Sequence, residues 1–299
     1  MRMFADYMFS VQDCLSVFVE YMEVKAEQLG LSNNTLFRDP CGIANYSTAR
    51  DMVRCLIRGY ECAPLRGAWS QPEYTVTLEG QIKRTLPLRS TVLADKCSHI
   101  LTDAFEVLGG KTGTLTNYGA YNLSVIVKVP EIDELLACTV MYADEDNCRP
   151  NNRFLAAKQA ITAAIAKYLD RELDTSKTEV CAQSAIVCVV PPRCSVDEYH
   201  AELDVLFEKN ASERKRPASM TKMLTAVIAL EYLTDPEEKI CVQQAVLDAI
   251  PNGFCGDELK AGDMITVKDA LHAMMLPSSN ASAYVLANHV GHRIFTDVD

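Results

Sequence analysis

Apolar and polar positions recur with two different periods along this chain, and the two periods divide it. Over residues 12–30, QDCLSVFVEYMEVKAEQLG, apolar side chains fall at helical spacing and stop at Gly30, which predicts a helix with a glycine end. The stretch NNTLFRDPCGIANYS that follows is rich in Asn, Asp, Pro and Gly and predicts a structured loop. Thr48–Tyr60 returns to helical spacing, and residues 74–79 and 82–89 predict short strands or a surface hairpin. From residue 105 the character changes. VLGGKTGTLT, AYNLSVIVKV and ELLACTVMY are β-rich runs set off by turn residues, which predicts consecutive antiparallel strands. An Ala-rich helix is expected over 152–169, a polar linker from Asp170 to Glu179, and strands at 184–190 and 201–209. The remainder predicts helices at Ser219–Tyr232, Val267–Met275 and Ala281–His289. The pattern is α/β: an antiparallel sheet of about five strands flanked by helices, plus a mostly helical subdomain built from both ends of the chain.

Composition narrows the class. The chain has 299 residues, 48% apolar and 23% charged, which suits globular domains with a sizeable core and excludes disorder. No apolar run approaches the ~18 residues of a membrane span. Asp6 interrupts the first apolar stretch, which argues against a signal peptide there. Lys and Arg total 29 against 40 Asp and Glu, a net charge of -11, and the basic run ERKR at 213–216 is short. A phosphate backbone is repelled on average, so nucleic acid is excluded as a partner.

Twelve cysteines form no metal pattern: there is no C-x-x-C, and Cys181, Cys188 and Cys194 are widely spaced with no histidine nearby. They are expected as buried hydrophobes and free thiols, with Cys241–Cys255 the local pair if any disulfide forms. The histidines at 99, 200, 272, 289 and 292 are scattered, and no metal or other cofactor is expected.

Three short motifs carry chemistry. GGKTG at 109–113 suggests a phosphate loop, but that pattern requires glycine at position 105, which is Phe105. P-A-S-M-T-K at 217–222 places Ser219 and Lys222 three apart at the start of an apolar helix, on one face. A lysine there takes the hydroxyl proton if burial and cationic neighbours lower its pKa; alone, the pair reads as a helix cap and a solvated lysine. L-P-S-S-N at 276–280 puts Ser278 and Asn280 just before another helix, again an ordinary cap when taken alone. Together, S-x-x-K, S-x-N and K-T-G are the motif set of the penicillin-recognising serine enzymes.

The wider sequence resembles one branch of these, the D-alanyl-D-alanine carboxypeptidases. RPASMTKMLTAVIALE, LPSSNASAYVLANHVG, KAEQLGLSNNTLFRDPCGIANYSTARDM and GGKTGTLTNYGAYNLSVIV all look like that family. The family order is S-x-x-K, S-x-N, K-T-G, whereas here K-T-G comes first. Residues 18–169 resemble the family's second half and 184–292 its first, so the chain reads as a circular permutant of the β-lactamase/transpeptidase-like fold, joined near 170–183. A piece cut from a tandem array is the alternative. The expected divisions are 1–104, second part of the helical subdomain with the hairpin; 105–235, the sheet with its helices; and 236–299, first part of the helical subdomain.

Two departures from the family stand out. Cys41-Gly42-Ile43 replaces the common His-Gly-Leu, and Ser279 fills the middle of S-x-N where glycine is commoner. Ser219 has a better context as nucleophile than Cys41. No Glu-x-x-Leu-Asn element is present.

The resemblance implies an acyl transfer with Ser219 as nucleophile and Lys222 as base, without a cofactor. It implies that Ser278 passes a proton to the leaving group and that Asn280 holds the substrate amide and orients Lys222. Lys111 supplies charge that keeps Lys222 neutral and attracts the terminal carboxylate, with Thr112 bonding that carboxylate and Gly113 leaving space. Backbone N–H groups of Ser219 and Thr114 form the oxyanion hole. The implied partners are peptidoglycan stem peptides and, as covalent inhibitors, β-lactam antibiotics, and the implied location is extracytoplasmic. Two other readings stand beside it: a related serine β-lactamase or esterase, and a non-catalytic fragment that binds cell-wall peptide.

Overall fold

The structure, a computed structural model, describes residues 9–80, 83–143, 152–171, 179–192, 202–256 and 258–296. The first helical run folds as α1 (Val11–Gln28), opened by a reciprocal cap in which Ser10 and Asp13 each bond the other's backbone. Helix α2 (Ala49–Glu61) starts at Thr48, whose hydroxyl accepts the Asp51 N–H, and is followed by the short α3 (Ala63–Trp69). The hairpin forms as β1 (Glu73–Leu78) and β2 (Arg84–Arg89), and one turn of helix, α4 (His99–Thr102), precedes the sheet. Strands β3 (Glu106–Leu115), β4 (Ala120–Lys128) and β5 (Leu135–Ala143) follow in succession. Helix α5 (Asn152–Tyr168) leads to β6 (Ala182–Val189) and β7 (Val205–Lys209). The last third holds α6 (Lys222–Tyr232), β8 (Lys239–Cys241), α7 (Gln244–Asp248), β9 (Met264–Thr266), α8 (Val267–Met275) and α9 (Asn280–Thr296).

The five-stranded sheet runs β3-β4-β5-β6-β7, antiparallel at every step, with β3 on one edge. Its strands are apolar on both faces because both faces are covered. On β4, Leu123, Val125 and Val127 enter the core under α5, while Ile126 faces the core shared with α2 and α6. The same alternation sends Cys138 and Val140 one way and Ala137 and Met141 the other on β5. Alanines 156, 157, 160 and 164 let α5 lie close on the sheet.

Several elements differ from the sequence reading. Helix α9 continues to Thr296 instead of ending at His289, and the strand expected over 201–209 is paired only from Val205. The short α3, α4, α7, β8 and β9 have no periodicity long enough to announce them. Residues 172–178 of the linker, together with Asp6, Cys148, Cys194 and His200, lie outside the described residues. Helices α1 and α9 pack closely: a Cβ on Gly291 would sit 2.1 Å from the Cys14 carbonyl oxygen. At their ends the rings of Phe9 and Phe295 stack at 4.1 Å.

Candidate active site

The expected helix start at Ser219 is a tighter element: Ala218–Thr221 form a 3₁₀ turn and the α-helix begins at Lys222. With three residues per turn, residues 219 and 222 eclipse, and Lys222 Nζ lies 3.0 Å from Ser219 Oγ. Ala218, just before the serine, is held at φ +52°, a conformation L residues rarely adopt. Backbone packing imposes it. A Cβ on Gly113 of β3 would meet the Pro217 carbonyl oxygen at 2.4 Å, and one on Gly42 would meet the Ala218 carbonyl oxygen at 1.9 Å. Asn122 of β4 donates to the carbonyls of Arg216 (2.9 Å) and Pro217 (3.1 Å). The Ser219 turn is therefore clamped between the K-T-G strand and the Cys41-Gly42-Ile43 loop.

That loop is itself rigid. The Asp39 carboxylate accepts the backbone N–H groups of Cys41 (2.9 Å), Gly42 (2.5 Å), Ile43 (3.1 Å) and Ala44 (2.7 Å). Asn45 links Asp39 to Thr221, and Thr225 of α6 donates to the Pro40 carbonyl at 2.6 Å.

The third motif closes on the same lysine. Lys222 Nζ donates to the Ser278 carbonyl (2.8 Å) and Asn280 Oδ1 (2.5 Å), and lies 3.2 Å from Ser278 Oγ. Asn280 Nδ2 donates to the Phe254 carbonyl at 2.8 Å, which fixes the amide so that its oxygen faces the lysine. Ser278 sits at φ +72°, a second strained position beside the chemistry. A carbonyl and an amide oxygen only accept, so a neutral Lys222 spends both N–H bonds on them. Its lone pair is then left for the hydroxyl proton of Ser219 or Ser278.

Lys222 is fully buried, and burial lowers its pKa to about 8, against the opposing pull of Asp39 and Glu258. Lys111 is likewise driven well below the ordinary lysine range by burial, then by the charges of Lys222 and Arg153, and the repulsion between the two lysines acts on both. The Cys41 thiol, buried and next to Asp39, is pushed well above its usual range, which suits a packing residue rather than a nucleophile.

Along β3, Lys111 is fully buried and donates to the Thr112 carbonyl at 3.1 Å. Thr112 Oγ1 donates to Thr91 Oγ1 at 2.7 Å, and Thr114 Oγ1 accepts from Arg153 at 3.0 Å. All eight sequence-predicted residues thus lie on three elements that meet at the Ser219 turn, although 108 positions separate Lys111 from Ser219. Sequence reasoning did not single out Asp39, Thr91, Arg153 or Glu258, the last of which accepts a short hydrogen bond from Ser279. Asp39 in a D-P-x-G turn carried a local signal; the other three are placed only by the fold.

Outside this cleft, His289 pairs with Glu238 at 2.8 Å, and no His, Cys, Asp and Glu group among the described residues could hold a metal. The ten described cysteines are thiols, Cys241 and Cys255 included.

A family model described as D-alanyl-D-alanine carboxypeptidase matches residues 175–293, which include Ser219, Lys222, Ser278 and Asn280; K-T-G lies outside the match. A D-alanyl-D-alanine carboxypeptidase of Streptomyces sp. (strain K15) is 34% identical over 88 residues, 29% of this chain and 30% of the relative. D-alanyl-D-alanine carboxypeptidase DacF of Bacillus subtilis (strain 168) is 31% identical over 87 residues, 29% of this chain and 22% of the relative. The matched segments therefore span less than a third of either relative's length. No solved structure matches the chain.

Proposed function

We propose that this chain, a member over residues 175–293 of the D-alanyl-D-alanine carboxypeptidase family, is a serine-type D-Ala-D-Ala carboxypeptidase acting on peptidoglycan stem peptides. The observation that carries the reading is the buried Lys222, whose two N–H bonds are taken by Ser278 O and Asn280 Oδ1 while Ser219 Oγ stands 3.0 Å away.

In the acylation step Ser219 Oγ attacks the penultimate carbonyl carbon and its proton passes to Lys222 Nζ. The developing oxyanion meets the backbone N–H groups of Ser219 and Thr114. The C–N bond then breaks, and the proton moves from Lys222 through Ser278 Oγ, 3.2 Å away, to the leaving D-alanine amine. The remaining hydrogen on Asn280 Nδ2 is available to the substrate carbonyl. Lys111 attracts the terminal carboxylate, Thr112 bonds it by turning its hydroxyl proton away from Thr91, and Gly113 leaves the strand edge open. Water, deprotonated by the same lysine, releases the acyl group. A β-lactam takes the acylation step on the same oxygen and carries no amine that departs. Since the substrate belongs to the cell wall, the site of action is extracytoplasmic; no helix among the described residues is long and apolar enough to cross a membrane.

The permuted order belongs to this proposal. Two contacts support it: β5 and β6 pair directly although α5 and the linker intervene, and Phe9 stacks on Phe295. The site then forms within one chain.

Intact-mass and peptide mapping with a fluorescent penicillin test the reading, together with release of D-alanine from an acyl-D-Ala-D-Ala peptide. The expected result is one adduct, on Ser219, lost in a folded Ser219→Ala variant. Labelling independent of protein concentration supports the single-chain site. An adduct elsewhere, or none on folded protein, overturns the assignment.

A further inference from the structure

We infer that Glu258 is a positioning residue of this site, which holds the Ser278–Asn280 loop through the hydroxyl of Ser279. The inference deepens the preceding reading and rests on it for the role of Lys222.

Ser279 Oγ gives its one proton to Glu258 Oε1 in a short hydrogen bond, and the same oxygen accepts the Ser282 N–H at 3.0 Å, capping α9. Glycine at position 279 could do neither. The backbone that carries this side chain is anchored in turn: Arg84 of β2 donates to the Glu258 main-chain carbonyl at 2.8 Å and to Asp263 at 2.5 Å, and Asp263 also accepts the Lys260 N–H at 2.7 Å. Four residues earlier, the Phe254 carbonyl fixes the Asn280 amide. The segment before β9 therefore grips the loop twice, at Ser279 and at Asn280, the two residues directly after the strained Ser278.

The grip has an electrostatic side. The charged and titratable groups that bear on Lys222 are Asp39 and Cys41 from the loop after α1, Glu258 from this segment, and Lys111 across on β3. Glu258 is the one that also touches the S-x-N loop, so one carboxylate sets both the position of the loop and the readiness of Lys222 to give up its proton.

Three variants separate the two effects. Glu258→Gln keeps an acceptor for Ser279 and removes the charge, Glu258→Ala removes both, and Ser279→Gly removes the hydrogen bond and keeps the charge. The titration of Lys222 is followed by NMR of protein carrying 13Cε-lysine, with Lys222→Arg for assignment, and penicillin acylation is followed beside it. We expect the Lys222 midpoint to fall by about 0.5 pH unit in Glu258→Gln and Glu258→Ala and to hold in Ser279→Gly. The high-pH acylation rate should fall about tenfold in Glu258→Ala and Ser279→Gly and less than about threefold in Glu258→Gln. An unmoved midpoint in Glu258→Gln, or an unchanged plateau in Ser279→Gly, overturns the inference; both variants are mild enough to decide it if Glu258→Ala does not fold. Wild-type protein that takes no label while its Lys222 midpoint still responds to Glu258→Gln overturns the preceding reading and leaves the charge coupling standing.

Discussion

The two sides of the cleft are built by different means. The nucleophile turn, Pro217–Lys222, is held sterically, by the backbones of Gly42 and Gly113 at distances that leave no room for a methyl group. The Ser278–Asn280 loop opposite is held by polar tethers to Phe254 and Glu258. Close packing is all-or-none: it fixes a position against small changes and fails when it is violated. Hydrogen bonds to a carboxylate and a carbonyl grade more smoothly and respond to charge and pH. In the proposed reaction the serine must stand in one place, whereas the loop must meet a substrate and then release it.

Breaking the steric side should have the largest effect. Gly42→Ala puts a Cβ into the Ala218 carbonyl at a backbone φ of +99°, and Gly113→Ala does the same against Pro217. Each should cost about 3 kcal/mol or more in urea unfolding and lower penicillin acylation by at least about 100-fold. Acylation near the wild-type rate would show that the turn does not depend on this packing.

A weaker test separates binding from fold at Lys111. Lys111→Met should lower kcat/KM for carboxylate-bearing substrates about 10–100-fold and for neutral thioesters less than about threefold. It should also stabilise the protein by about 1–2 kcal/mol, since it removes a lysine buried against its own charge. The sign follows from the lowered folded pKa of Lys111. The folded state binds fewer protons than the unfolded one between that pKa and the ordinary lysine range, so wild-type stability rises with pH there and the gain from Lys111→Met is largest below it. Equal kinetic losses on both substrate types would assign Lys111 to the fold.

The polar side sharpens the comparison through pH. Burial lowers Lys222 to about 8, and in the proposed mechanism the neutral amine is the base. Acylation should therefore rise about tenfold between pH 7 and 9, with its midpoint near 8. A flat profile would mean that Lys222 is not the group that takes the proton.

The smallest expected effect is at Thr91, whose hydroxyl meets Thr112 at 2.7 Å. Thr91→Val removes the acceptor that holds the Thr112 proton, so kcat/KM for carboxylate-bearing substrates should rise by up to about fivefold, one hydrogen bond's worth, with the acylation midpoint in place; a loss would show that Thr91 orients Thr112 rather than competing for its proton.

Much of this arrangement was legible because periodicity and motif chemistry are local. Strands β3 to β6 announced themselves as apolar runs, and S-x-x-K, S-x-N and K-T-G named the side chains of the cleft. The sequence could not show that Ser219 sits in a 3₁₀ turn that ends just before Lys222, because apolar spacing over four residues does not distinguish it from an α-helix. Nor did it show that burial is the largest cause of the lowered Lys222 pKa, since burial is a property of the assembled fold. Thr91 and Glu258 lie in segments without periodicity and act on partners about twenty residues away, so their sequence positions look like any solvated loop.

Helix α9 extends these contacts over a longer range. Its 17 residues form a rod about 25 Å long, with Asn280 at one end and the region stacked on Phe9 at the other. Because α1 grips the rod along its length and Gly291 leaves no slack against Cys14, the pair works as a lever arm with its load at the Asn280 amide. A tilt of about 2° at the Phe295 end would swing Asn280 by nearly ~1 Å, a displacement that costs an active site about a hundredfold in rate.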